Sequence, residues 1–280
     1  MRFSVKKAEN GLKWLLVIVI FCVIMFPMAW LLSTSLKDQR FMIEIPPQWI
    51  PNPITFEHYV AAIFHEMPFF VLLKNSLIIA IGVSLVSTVL GSLSAYGFSR
   101  YPFVRSEILL VFLLAGQMFP GVILVIPFYV LLRNLNLLDT YYSLILANTS
   151  LALPFTIYML KGYFDSLPTE LEDAALIDGC NRFQTFYKIV LPLTMPGLIA
   201  TAFMAFVVAW DDYIFALTLI TSDERRTLPV AMVGSFVGEF AVKWGEMMAV
   251  SVLMSLPVLF LFFFLQKYLV QGLTAGAVKG

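Results

Sequence analysis

TELEDAALIDGCNRFQTFYKIVLP, residues 169–192, is a long polar, charge-bearing segment set between two strongly apolar runs. Its punctuation is helical. Ser166 and Pro168 open a first helix, and Glu170, Glu172 and Asp173 fall in its first turns, where the helix dipole favours negative charge. Leu171, Ala174, Ala175 and Ile177 supply apolar contacts, and Gly179 stops the helix as a left-handed residue just past its end. Asn181 starts a second helix with Gln184 three positions later, a capping-box variant. Phe183, Phe186, Tyr187 and Val190 form its apolar face, and Pro192 ends it. A solvated linker is the plain alternative, but a linker needs neither paired caps nor two apolar faces. Ala174 and Ala175 on one side allow close approach, so the segment reads as a docking element for another protein.

The surroundings of this polar island place it in a membrane protein. Of 280 residues, 60% are hydrophobic and 13% charged, and the mean hydropathy is +0.88; a soluble domain is about half apolar and about a quarter charged. The formal net charge of zero gives a nucleic-acid partner no electrostatic support. Cys22 lies in an apolar run and Cys180 in the polar loop, which disfavours a disulfide, and neither these nor His58 and His65 have metal-ligand spacing.

A spanning helix needs about 20 apolar residues. Residues 14–32, 76–98, 108–132, 141–160, 193–220 and 247–265 qualify, the fifth interrupted by Asp211 and Asp212. The first is too long for a signal peptide and no small-residue cleavage site follows, so it reads as an uncleaved span. Six spans put both termini on one side. Arg2, Lys6, Lys7, Lys13, Arg100, Arg105, Lys161, Arg182, Lys188, Lys267 and Lys279 fall on that side. They outnumber Lys37, Arg40, Lys74, Arg133, Arg225, Arg226 and Lys243 opposite, which favours cytoplasmic termini and a cytoplasmic 169–192 loop. Residues 33–75, with Pro46, Pro47, Pro51 and Pro53, are then external, irregular at first, with a short surface helix around 56–64. Gly82, Gly91, Ser92, Ser94 and Gly97 suit close helix approach in lipid. Pro120, Pro127, Pro154, Pro196 and Pro257 bend or break later spans. Each alone fits an ordinary packed bundle; together they suggest a bundle around a pathway that rearranges.

Asp211 and Asp212 lie between Trp210 and Tyr213. Intramembrane carboxylates are costly and face a cavity or a partner. They read either as acceptors for the hydroxyls of a solute with Trp210 or Tyr213 as a stacking wall, or as caps of a second short helix where the span stops near Trp210. Gln117, Asn148 and Thr149 are interhelical hydrogen-bonding groups that together could line a translocation path.

Asp173-Ala174-Ala175, three residues, Gly179, nine residues, Ile189, one residue and Leu191-Pro192 resemble the "EAA" coupling motif of binding-protein-dependent ABC importer permeases, with Asp173 in place of the usual Glu and Glu172 before it. GLTAGAVKG at 272–280 resembles the C-terminus of the shorter, six-span permease of the maltose-type carbohydrate branch. Trp244-Gly245-Glu246 resembles that branch too. AWDDYIFAL resembles its "AWNEF" segment, with Asp211 and Asp212 replacing Asn and Glu.

The resemblance implies an all-α integral membrane chain of six transmembrane helices with the type I ABC importer permease fold. Residues 1–71 would form an N-terminal span and external segment. Residues 72–267 would form a permease core with the coupling loop at 161–192, and 268–280 a cytoplasmic tail. Glu172, Asp173, Ala174, Ala175, Asp178, Gly179, Ile189, Leu191 and Pro192 would form the contact with a cytoplasmic ATPase dimer, aided by Gly276 and Lys279 in the tail. Gln117, Asn148, Trp210, Asp211, Asp212 and Tyr213 are the candidate path residues. A second permease subunit, an extracytoplasmic sugar-binding protein reached by 234–240, and membrane lipid complete the implied partners.

No GxxxxGK[ST] occurs, so ATP and Mg belong to another chain and no cofactor to this one. The expected activity is alternating-access import of a maltose, maltodextrin or trehalose-type sugar, with a polyol or glycerol phosphate permease as the alternative. An enzyme using Asp211 and Asp212 is disfavoured because neighbouring helical residues point about 100° apart. An ion-coupled transporter lacks buried charges along a proton path.

Overall fold

A computed structural model describes the backbone of residues 2–101, 105–238 and 242–277, and within these the side chains from 13 to 270. Among the described residues there is no strand beyond isolated bridges. In chain order the helices are α1 (Arg2–Ser35), α2 (Glu57–Ala61), α3 (Phe69–Arg100), α4 (Ser106–Ala115), α5 (Gly121–Asn134), α6 (Tyr141–Ser166), α7 (Glu170–Ile177), α8 (Arg182–Thr185), α9 (Leu191–Leu193), α10 (Met195–Trp210), α11 (Ile214–Leu219), α12 (Leu228–Phe236) and α13 (Trp244–Ala277). Helices satisfy their own backbone hydrogen bonds, which lipid cannot do for them. The stretches from Lys13 to Ser35, Phe69 to Arg100, Tyr141 to Ser166 and Trp244 to Val270 are each long and apolar enough to cross a membrane. Two bent pairs, α4 with α5 and the α8–α9 stretch with α10, bring the candidates to six if each counts as one span.

The chain divides into two compact units, 1–69 with 232–256, and 70–231 with 257–280. In the first, the side chains of α1 from Trp14 to Met28 are exposed. The following segment folds back on the helix end: Thr55 donates its amide to the Leu36 carbonyl at 2.9 Å, and Trp49 meets Trp30 edge-on at 5.2 Å. Lys37 is buried with its ammonium 4.0 Å above the Trp30 ring. His58 hydrogen-bonds the Lys37 carbonyl at 2.8 Å and lies 3.5 Å from the Glu246 carboxylate. The surface helix expected near 56–64 is α2, extended by a π-turn over Ala62–Glu66.

The second unit is built on α3, α5, α6, α10 and α11. Ile79, Ala80 and Val83 of α3, Leu144 and Ala147 of α6, Phe206 and Ala209 of α10 and Phe215 and Leu219 of α11 share one core. Small residues set the spacing. A Cβ on Gly82 would stand 2.7 Å from Ile145, one on Gly91 2.5 Å from Thr156, and one on Gly197 2.5 Å from Tyr163. Gly97, expected in the same role, faces open space. At one end, Asp139 joins α6's approach to the 221–225 loop: its carboxylate accepts from the Ser222 amide at 2.9 Å, the Thr221 amide at 3.1 Å and Arg225 at 2.8 Å.

Two expected spans differ from their reading. Residues 108–132 do not form one helix: Phe119 is extended and Pro120 caps α5, so α4 and α5 meet at 101°. Proline lacks an N–H and drives the preceding residue out of the helical region, which accounts for the break. Residues 193–220 are also divided. The helix stops at Trp210 and resumes as the short α11. Before it, an 80° bend at Thr194, between Pro192 and Pro196, separates α10 from the preceding stretch.

Replacing Gly197 with Val should overpack the α6–α10 contact and cost about 1–3 kcal/mol. Gly162→Ala, at an α6 site with nothing within 4 Å, should leave stability unchanged or slightly raised. Thermal unfolding of the purified protein in detergent checks both, and a Gly197→Val protein as stable as the parent would refute the close-packing account. The Ser222 amide, then the Ser222 hydroxyl, the Thr221 amide and Arg225, hold the Asp139 carboxyl below its ordinary range. A depressed carboxyl contributes stability that is complete above its unfolded pKa, about 3.9, and lost as pH falls toward the lower folded value. Asp139→Asn should therefore lower the melting temperature at pH 7 and flatten its decline below about pH 4.

Candidate functional site

The 169–192 segment folds as two helices for reasons local to its sequence. Acidic Glu170, Glu172 and Asp173 occupy the first turn of α7. Its N-cap is Thr169, whose carbonyl accepts the Glu172 and Asp173 amides at 2.9 and 3.1 Å. Ser166, expected to open this helix, instead ends α6, its hydroxyl donating to the Tyr163 carbonyl at 2.7 Å. At the other end Gly179 has φ +88° with open space around it. The Gly179 amide bonds the Leu176 carbonyl and the Cys180 amide the Ala175 carbonyl, at 3.1 and 3.0 Å. This paired closure is the Schellman turn, which needs a left-handed residue. α8 starts with both bonds of a capping box, Gln184 amide to Asn181 side chain and Asn181 amide to Gln184 side chain, each 2.9 Å.

Burial sorts the residues of the segment into two faces. Glu172, Ala175, Thr185, Phe186 and Val190 are buried within the chain. Asp173, Ala174, Asp178 and Pro192 are exposed, as are Leu171, Ile177, Phe183 and Tyr187, with Ile177 at 87% and Phe183 at 67%. Ile189 and Leu191 are intermediate. Ala174 and Ala175 thus do not share an outward side, because successive helical residues point about 100° apart. Likewise only half of the apolar face expected of the second helix turns inward: Phe186 and Val190, in the π-turn that follows α8, join Tyr96, Leu160 and Phe164 in a core of their own.

Beneath α7 lies a buried polar network. Arg100, the last residue of α3, forms an ion pair through its Nε with Glu172, with side chains 10% and 7% exposed. Its other nitrogens donate to the Leu167 carbonyl at 3.1 Å and the Ser99 hydroxyl at 3.2 Å. Tyr96 donates to the second oxygen of Glu172 at 2.6 Å. Its ring lies 4.8 Å from Phe186 and 5.8 Å from Phe164. Ser99 reaches Asp165, which in turn pairs with Lys161, at 2.7 and 2.6 Å. The Arg182 guanidinium sits 5.7 Å over the Tyr101 ring, tying α8 to the same helix end. Sequence reading missed Arg100 and Tyr96. Their signal was their spacing, four apart at the end of an apolar span and so on one helical face. Removing one member of a buried ion pair leaves the other charge uncompensated, at about 3–5 kcal/mol.

Among the candidate path residues, Asn148 and Asp212 are joined directly. Asp212 accepts the Phe215 amide at 3.1 Å, capping α11, and its other oxygen accepts from Asn148 on α6 at 3.1 Å. Asn148 is buried and also donates to the Leu144 carbonyl. Asp211 is exposed at the C-cap of α10. Trp210 is 2% exposed and stacked on Phe206 at 5.6 Å and 14°, so its faces are taken up by the core in this conformation. Tyr213 is half-buried beside that core. Gln117 stands at the α4–α5 break and donates to the Leu151 carbonyl at 2.6 Å. Of the tail residues, Gly276 lies in α13, which runs on through the expected tail to Ala277; Lys279 lies outside the described residues. No group of three metal-ligating side chains occurs among the described residues.

Residues 87–275 match the family model described as binding-protein-dependent transport system inner membrane component. The chain is similar to the inner membrane ABC transporter permease protein YcjP of Escherichia coli, 38% identical over 91% of each chain. It is similar to the diacetylchitobiose uptake system permease protein DasC of Streptomyces coelicolor, 35% identical over 98% of this chain and all of that one. It is similar to the trehalose/maltose transport system permease protein MalG of Thermococcus litoralis, 35% identical over 97% and 99%. A solved bacterial ABC transporter for alginate import has a chain of the same fold, with TM-score 0.79 and 20% identity over 94% of this chain and 96% of that one. With two thirds of its length under one family model and its helices in that fold, the chain belongs to the binding-protein-dependent transport system inner membrane components, the membrane permeases of ABC transporters.

Proposed function

We propose that this chain is one transmembrane subunit of an ATP-driven sugar importer, and that α7 and α8 dock on a cytoplasmic ATPase subunit. The observation that carries the docking is the outward stripe Leu171, Ala174 and Ile177, continued by Phe183 and bordered by Asp173 and Asp178. Exposed apolar patches rimmed by polar residues mark interaction sites, and this patch lies on helices closed by a Schellman turn and a capping box. A rigid, small-waisted helix fits a cleft, with Ala174 at its point of closest approach. ATP hydrolysed in the partner would close that cleft and move the helix pair, and the spans would follow from one access state to the other. The side bearing more Lys and Arg, with both termini and α7, is then the cytoplasm.

The solute is a sugar of the maltose, maltodextrin or trehalose type. This reading draws on relatives whose names carry diacetylchitobiose and trehalose/maltose and on the likeness of the chain end to the maltose-type branch. A second permease subunit completes the pathway, and an extracytoplasmic binding protein delivers the sugar. Binding of candidate sugars to the binding protein that supports uptake by this importer tests the solute. A polyol or glycerol phosphate bound in preference would replace it.

In proteoliposomes holding the whole importer, Ala174→Trp should lower ATP-dependent uptake at least ten-fold and weaken copurification of the ATPase, with the permease still folded. Gly179→Pro should do the same, because proline cannot adopt φ +88° and the two helices would lose their angle. Ala175→Trp should instead destabilise the permease itself. Normal uptake in Ala174→Trp would sink the docking assignment.

A further inference from the structure

We propose that Tyr96, Arg100 and Glu172 are positioning residues that make α3 a transmission rod, carrying displacement of α7 to the 221–228 loop at the helix's far end. The inference rests on the permease reading for its biological use, but its geometry stands by itself.

The connections of α7 along the chain are soft. Toward α6, Leu167 is extended and followed by Pro168. Toward α10, the chain passes Pro192, Thr194 and Pro196 through an 80° bend. Neither joint continues a helix into α7. The connection to α3 is stiff. Glu172 is gripped by two side chains of α3 at once, the Arg100 guanidinium and the Tyr96 hydroxyl. Arg100 also holds the Leu167 carbonyl, so one planar fork fixes the end of α6 and the face of α7 together. Glu172 and Tyr96 are buried and the Arg100 side chain is 10% exposed, so breaking the pair strands a charge.

α3 is suited to carry what it receives. Of the four unbroken candidate spans, α1, α6 and α13 contain Pro27, Pro154 and Pro257, whereas α3 contains no proline over 32 residues. At about 1.5 Å per residue that is a rod of about 48 Å. Its far end is pinned as firmly as the near one. The Asn75 amide donates to the carbonyls of Glu224 and Arg226, both at 2.9 Å, and its oxygen accepts from Tyr141 at 2.7 Å. The Ser76 hydroxyl accepts the Leu228 amide at 2.9 Å. Polar side chains clasp α3 at its two ends, and midway Ser84 donates to the Ala202 carbonyl of α10 at 2.7 Å.

The test uses the complete importer with its ATPase and binding protein, comparing the parent with Glu172→Gln, Arg100→Gln, the neutral double variant and Tyr96→Phe. Glu172→Gln should retain the ATPase on copurification and hydrolyse ATP within two-fold of the parent, yet move at least ten-fold less solute per ATP. The neutral double variant should regain thermal stability, since no charge is stranded, but not regain coupling. A merely structural pair predicts recovery of both, and that result overturns the proposal, as does an unchanged transport-to-ATP ratio. Loss of the ATPase from Glu172→Gln also overturns it, by making Glu172 a docking residue. Should both single charge variants fail to fold, Tyr96→Phe decides: about three-fold lower coupling is expected, and parental coupling refutes the linkage. Hydrogen exchange gives a readout independent of solute. Nucleotide should alter amide protection at 221–228 in the parent and not in Glu172→Gln. A parent complex that transports no sugar but keeps this response removes the sugar reading and leaves the rod.

Discussion

The ion pair between Arg100 and Glu172 decides which face of α7 is left for anything else. A carboxylate buried under a helix needs a cation, and this one finds it at the last residue of α3. Once Glu172 is turned inward, helical geometry turns Ala175 and Leu176 after it and leaves Leu171, Ala174 and Ile177 outward. The exposed stripe is therefore the complement of the buried pair. The paired closure at Gly179 and the box at Asn181 then hold α8 at a set angle, with Phe186 and Val190 in the same inner core and Phe183 outside. A single buried contact thus orients a surface assembled from two helices.

Inside the apolar region the governing constraint is different: backbone that leaves a helix must be satisfied by protein. The break after α10 meets it with a polar side chain. Where α10 stops, Asp212 takes the Phe215 amide, which opens α11, and fastens itself to Asn148 of α6. Where α4 gives way to α5, Gln117 reaches the Leu151 carbonyl of α6. Both therefore converge on α6, whose own residues Asn148 and Leu151 lie one turn apart. Asp212, a candidate path residue by its type, thus also satisfies backbone freed where a helix is interrupted. Asp211 differs: it is exposed, and the break is held without it.

The parts legible in the sequence are those governed by local rules. Gly179, Asn181 and Gln184 each act through bonds to residues within five positions, so their residue types suffice to read the turn and the box. The long apolar runs are equally plain, because span length follows from membrane thickness. What was not legible depends on partners far along the chain. Ala174 and Ala175 have identical side chains, and only the position of α3 says which is inside. Ser166 resembles a cap for α7 but lies close enough to α6 to end that helix instead. Trp210 looks like a platform beside two carboxylates, yet Phe206, four residues before it, lies stacked on it. Pro120 was visible as a breaker, but whether a proline kinks a span or divides it at 101° is set by what the two halves pack against.

The contrast between α3 and its neighbours follows from where flexibility is placed. Prolines lie inside α5, α6 and α13 and flank the start of α10, which gives these helices points at which they can bend without unfolding. Every such bend also dissipates a displacement. If all spans bent, movement at α7 would fade before reaching the opposite end of the unit. One proline-free element clasped at both ends resolves this conflict, since bending can then be local while displacement is not. The linkage is reciprocal by necessity. Asp139 and Arg225 shape the 221–225 loop, and Asn75 joins that loop to α3. Whatever holds the loop thereby biases the position of Arg100, and with it the face that α7 presents.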